Sequence, residues 1–124
     1  MFQSFGQLIV ENNKTFVQID SEISKYYISL IPFKINKQKY PPHISLIRNE
    51  IIPNANYLHS MNNSIINFEY DSYIFNNETY YWLNVYSNEL KQIRINCGLC
   101  PTKIGVTFSP DEKCAFHITL GNTK

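Results

Sequence analysis

The chain spells His-Ile-hydroxyl-Leu twice, as HISL at positions 43–46 and HITL at positions 117–120. In an extended strand, successive side chains point to opposite faces. His43 and Ser45 therefore share one face, with Ile44 and Leu46 on the other. In the second tetrad His117 and Thr119 lie together, opposite Phe116, Ile118 and Leu120. Each tetrad thus requires a strand with one face anchored in a core and the other presenting an imidazole beside a hydroxyl. Given this composition, Ile, then Ser or Thr, then Leu should follow any one His with odds on the order of one in a thousand. Two of the three histidines carry the pattern. The third, His59 in LHSMNN, lacks it and reads as an ordinary surface residue.

A chain of 124 residues fits a single domain over 1–124, long enough to build a hydrophobic core without staples. Apolar residues make up 44% and the formal net charge is +1. That balance gives no footprint for long duplex nucleic acid, while a local donor cluster can still serve a small anion. No apolar run approaches the roughly 18 residues of a membrane span, and the start MFQSFGQLIVENNK lacks the pattern of a signal peptide. Three cysteines without a secretory signal point to a reduced, cytoplasmic protein. A monomer is expected.

Along the chain, residues 5–10 and 15–19 read as strands separated by the turn-forming ENNK. Asp20 or Ser21 caps a helix whose apolar stripe is Ile23, Tyr26, Tyr27, Leu30 and Ile31, stopped by Pro32. A strand over 26–31 is the alternative. KINKQKYPP is a basic loop, 44–48 a strand, and 54–61 a short helix. Residues 65–75 and 79–86 read as a hairpin around NNE. Ser87 or Asn88 caps a helix lined by Leu90, Ile93 and Cys97 and closed by Gly98. Residues 103–108 and 114–121 read as final strands around the turn SPDE. Mixed helices and strands with a hairpin predict an α+β fold with antiparallel sheet.

Phosphodiester cleavage needs a base, an acid and donors to the non-bridging oxygens. Histidine titrates near neutrality, so one ring can be neutral while another is protonated. Ser45 and Thr119 can donate to oxygens on which charge builds. The paired motifs HISL and HITL, the second followed by Gly121, resemble the two-histidine phosphoesterase superfamily, also called LigT-like, whose signature is H-h-[ST]-h written twice, h being apolar. The resemblance covers nearly the whole chain. It implies a two-lobed fold, with antiparallel sheets lining a central cleft and helices outside. It also implies His43, Ser45, His117 and Thr119 as the catalytic set, with no cofactor and no metal. Which histidine is acid and which base stays open. The chain's compactness is similar to that of viral members, found in coronaviruses, toroviruses and rotaviruses. They cleave 2′,5′-oligoadenylate and so antagonise a host antiviral RNase (the RNase L pathway of innate immunity) in the host cytoplasm. Cyclic oligonucleotides and 2′,3′-cyclic phosphates are the alternative substrates within the superfamily.

A short oligonucleotide substrate calls for stacking surfaces and cations. Tyr40, just before the first motif, and Trp82, beside Tyr80 and Tyr81, are the candidate aromatics. Lys37 and Lys39, with Lys34, form a basic loop ahead of His43 that suits flanking phosphates. Lys103 and Lys113 are lesser candidates. Each also has a plain structural reading, as a core or sheet aromatic or as a solvated charge. A reading of another class takes Cys97, Cys100, Cys114 and His117, spaced C-x2-C-x13-C-x2-H, as the ligands of a zinc-stabilised binding module.

Overall fold

Alternating β-branched segments become strands, and segments with a polar cap become helices. The computed structural model describes residues 1–12, 14–101 and 116–124. In chain order they form β1 (Phe2–Glu11), β2 (Lys14–Gln18), α1 (Ser21–Ser29), β3 (Asn36–Lys37), β4 (His43–Arg48), α2 (Ala55–Ser60), β5 (Ile65–Asn76), β6 (Tyr80–Tyr86), α3 (Asn88–Asn96) and β7 (Phe116–Asn122). The strand expected over 103–108, the SPDE turn, Lys103, Lys113 and Cys114 lie outside the described residues.

The helix caps follow the sequence. Asp20 Oδ1 accepts the Glu22 amide at 3.0 Å, and Ser87 Oγ accepts that of Leu90 at 3.2 Å, each satisfying a donor the first turn leaves unpaired. The stretch expected to be helix or strand is helix α1 as far as Ser29. At the end of α3, Gly98 takes φ +88°. The amides of Gly98 and Leu99 bond back to Ile95 and Arg94 at 2.9 Å each, a Schellman closure in which glycine carries the left-handed turn without strain.

The fold corrects the two-lobed expectation. All the described strands join one antiparallel sheet, ordered β3-β7-β4-β2-β1-β5-β6, and β6 also pairs with β7. Six strands therefore close into a barrel, with β3 attached at β7. It is mostly sheet with few helices, and among the described residues no two separate sheets face each other across a cleft. Closure rests on long-range ladders: β1 with β5, β4 with β7, and β6 with β7. Gly121 lets the attached strand come close, since a Cβ there would sit 2.3 Å from the Asn36 carbonyl oxygen.

One face of this sheet is apolar. Leu8, Val17, Ile44, Leu83, Val85, Phe116 and Ile118 share a single core with Tyr27 of α1, Leu58 of α2 and Leu90 and Ile93 of α3. Each such side chain stabilises the fold by about 1.5–3 kcal/mol relative to exposure. The apolar halves of both tetrads lie in this core, which fixes the opposite face of β4 and β7 as the one carrying the histidines.

Two bulges interrupt the alternation. Thr15 lies opposite Ile47 while Phe16 lies opposite Ser45, so β4 carries an extra residue at Leu46. Leu46 and Ile47 are consequently both buried. Beyond the bulge the phase is reversed, and Arg48, opposite Lys14, rejoins the face of His43 and Ser45. Likewise Tyr81 pairs with Gly121 but Trp82 with Thr119, so β7 bulges at Leu120.

Candidate functional site

The barrel closes where the two tetrads meet. Ile44 of β4 pairs with Ile118 of β7. In antiparallel register this sets Ser45 beside His117 and His43 beside Thr119, all four on the polar face. The flanking strands extend these pairs into two rows. Asn84 of β6 lies opposite His117 and Trp82 opposite Thr119. On the other side Phe16 of β2 lies opposite Ser45 and Gln18 opposite His43. One row is thus Asn84, His117, Ser45, Phe16; the next is Trp82, Thr119, His43, Gln18. The two imidazole–hydroxyl pairs are neighbours on adjacent strands, where the two-lobed expectation had them on opposite sides of a cleft.

The histidine environments differ. His43 is half-buried, its ring edge-on to Phe16 at 5.5 Å between centroids. Its Nδ1 lies 2.9 Å from the Pro41 carbonyl oxygen. A carbonyl only accepts, so Nδ1 carries the proton and donates it there, which leaves Nε2 outside that bond. His117 is more enclosed. Burial first, then the nearby charges of His43 and Arg48, push its pKa down to about 4. Desolvation and like charge both disfavour the imidazolium, so His117 is the neutral ring at neutral pH.

This depression has a stability consequence. The unfolded chain binds the proton with a pKa near 6.5 and the folded chain only near 4. Between those values the unfolded state holds more protons, so stability falls as pH drops through that window and is unaffected above it. The expected penalty below pH 4 is about 3 kcal/mol. Replacing His117 with Gln removes it: denaturant midpoints followed from neutral pH to pH 4 should fall less steeply in the variant than in the parent.

Beside His43 a groove of about 470 Å³ opens, lined by Ser45, Phe16, Tyr40, Lys14 and Arg48 among others. Its size falls in the range of small-ligand sites. Tyr40 is 58% exposed, with the Lys14 and Lys39 ammonium groups 5.1 and 5.8 Å from its ring centroid. Lys37 lies on β3 opposite Gly121 and is exposed, away from this groove's lining. Trp82 is buried, donating from Nε1 to Asn84 Oδ1 at 3.0 Å and stacked on Phe75 at 6.1 Å. It backs the row that contains Thr119. Tyr80 pairs with the Lys124 ammonium, and Tyr81 meets Phe33 edge-on. His59 is exposed on α2.

Lys14, Phe16, Gln18 and Arg48 were absent from the sequence-derived set. The signal for Arg48 was present in the consecutive apolar pair Leu46-Ile47, a break in alternation that marks a bulge. Nothing local marks Lys14, which reaches the groove only through the pairing of β2 with β4.

The zinc quartet is not assembled among the described residues. Cys97 lies in the apolar core, where burial pushes its thiol pKa up, whereas His117 lies on the opposite, polar face. Cys100 is exposed. Among the described residues no three His, Cys, Asp or Glu side chains group as metal ligands, and no helix is long and apolar enough to cross a membrane. Comparison with protein-family models, curated proteins and solved structures gives no match to this chain.

Proposed function

We propose that this protein is a phosphodiesterase acting on short oligonucleotides, with 2′,5′-oligoadenylate as its substrate. The observation that carries the reading is the pair of cross-strand rows, which bring two imidazoles and two hydroxyls to one polar face beside a basic groove. His117, neutral, takes the proton from the attacking oxygen, either an adjacent ribose hydroxyl or water. The new P–O bond forms as the bond to the leaving ribose oxygen breaks. His43, protonated, delivers its Nε2 proton to that oxygen. Ser45 and Thr119 donate to the non-bridging oxygens, where negative charge grows. The attacking oxygen supplies the electron pair of the new bond, the leaving oxygen keeps that of the broken one, and both proton transfers run through the two histidines. The choice of 2′,5′-oligoadenylate rests on the resemblance of HISL and HITL to the two-histidine phosphoesterases and on the chain's compactness. By the same likeness the protein would counter an antiviral RNase in the cytoplasm of a host cell.

The test is chromatography of products from 2′,5′-triadenylate, 3′,5′-triadenylate, a cyclic dinucleotide and a 2′,3′-cyclic monophosphate, all in the presence of a chelator. Preferential cleavage of the first is the expected result. Preference for the cyclic dinucleotide or the cyclic monophosphate keeps the chemistry and changes the substrate. Cleavage of none, or activity that returns only with added metal, rejects the proposal.

A further inference from the structure

We infer that the Lys14–Arg48 end of the groove is a subsite for a second phosphate, about one nucleotide from the bond that the two histidines cleave. The inference rests on the phosphodiesterase reading and adds what the substrate must carry. Lys14 and Arg48 are direct cross-strand partners, and both line the groove with His43 and Ser45. Two cations placed opposite each other are unfavourable unless an anion joins them. The bulge at Leu46 is what turns Arg48 to this face; unbroken alternation would send its charge to the core side. Phe16, opposite Ser45, and Lys14, opposite Arg48, are two residues apart on β2. That is about 6.6–6.8 Å along a strand, a span on the order of one step of a sugar–phosphate backbone. The Lys14 ammonium lies 5.6 Å from the Phe16 ring centroid and 5.1 Å from that of Tyr40, contacts that bias it toward the groove wall. Arg48 supplies a guanidinium fork suited to phosphate oxygens. The competing carboxylate, Glu11, lies 3.7 Å from Lys14 in a pair with both side chains 48% exposed. So exposed a pair is weak and yields to a phosphate.

The second phosphate can be a 5′-terminal group or an internal phosphodiester, and the substrates distinguish them. The experiment measures kcat/KM at neutral pH, where His117, its pKa depressed to about 4 mainly by burial, stays largely deprotonated with or without the Arg48 charge. It uses 2′,5′-linked ApA, its 5′-phosphorylated form pApA, and ApApA. The parent chain should prefer one or both of the two-phosphate substrates by about ten- to a hundredfold. Lys14→Gln and Arg48→Gln, both at exposed positions, should each lower that preference about tenfold. Turnover of ApA should stay within about twofold, because no charged contact is lost from it. Glu11→Gln should act in the opposite sense and raise the preference. A larger gain on pApA identifies the terminal group, and on ApApA the internal one. Equal effects on all three substrates, or none on pApA and ApApA, overturn the subsite while leaving the phosphodiesterase standing. If the parent cleaves nothing, calorimetric titration with pApA separates the two claims. Binding that Lys14→Gln and Arg48→Gln weaken keeps the subsite without the catalysis, and binding indifferent to both removes the subsite as well.

Discussion

His43→Gln and His117→Gln should each lower kcat/KM by about 10²–10⁴-fold on the best substrate, the usual loss when a positioned acid or base is removed. The double variant should be little worse than either single one, because the two rings act on one proton relay and their losses do not add. Ser45→Ala and Thr119→Val should cost about 10–10³-fold each through lost donors to the growing negative charge. The polar face is separate from the core that stabilises the barrel, so circular dichroism and the unfolding midpoint near neutral pH should stay close to those of the parent. The pH profile should carry the mark of His117. The acid limb of kcat/KM that belongs to His117 should lie toward pH 4, where its depressed pKa sits, well below the range of an ordinary imidazole. Unchanged turnover in either Gln variant would remove that histidine from the mechanism.

Arg94→Met should be the most damaging single change to stability. Arg94 is 1% exposed and forms a fork with Glu50, Nη1 and Nη2 each donating at 2.9 Å. It also donates to the Leu46 carbonyl at 2.8 Å and the Cys100 carbonyl at 2.6 Å. Removing it leaves a carboxylate and two carbonyls short of their donor, a loss of about 3–5 kcal/mol, or on the order of 10–20 °C in Tm. Glu50→Leu added to Arg94→Met should restore part of the loss, because it removes the carboxylate left without its partner. Thermal unfolding of the single and double variants checks this. A double variant no more stable than the single would show that the carbonyls, and not Glu50, set the cost. Since the Leu46 carbonyl belongs to the bulge, Arg94 also braces the turn of chain that brings Arg48 into the groove.

Much of the local structure could be read from the residues. Asp20 and Ser87 cap α1 and α3 as their side-chain chemistry suggests, Gly98 ends α3, and the segment 65–86 is the hairpin that NNE implies. The tetrads are strands with Ile44, Leu46, Ile118 and Leu120 in the core, so the shared face of each imidazole and hydroxyl followed from alternation alone. Strand order did not. Period-2 alternation says which face a residue takes and nothing about which strand lies beside it. The meeting of β4 with β7 is a pairing between residues 44 and 118, and no local signal encodes it. The closed barrel in place of two lobes is the result of such pairings. The β4 bulge leaves a trace, the consecutive apolar pair Leu46-Ile47, but strict alternation carried past it assigns Arg48 to the core side, because one extra residue reverses the phase of all that follows it. Nearness to His43 in sequence points to Lys37 and Lys39, yet Lys14, farther from His43 in sequence, is the lysine that sheet pairing delivers to the groove wall.

β7 follows every other described strand in chain order and is the piece that both seals the sheet and supplies the second imidazole. Without β7 the β4 and β6 edges would lie unpaired, so the barrel cannot close until that strand docks. Under the proposed function, the second histidine arrives with the strand that completes the barrel, so the site and the closed sheet are assembled together.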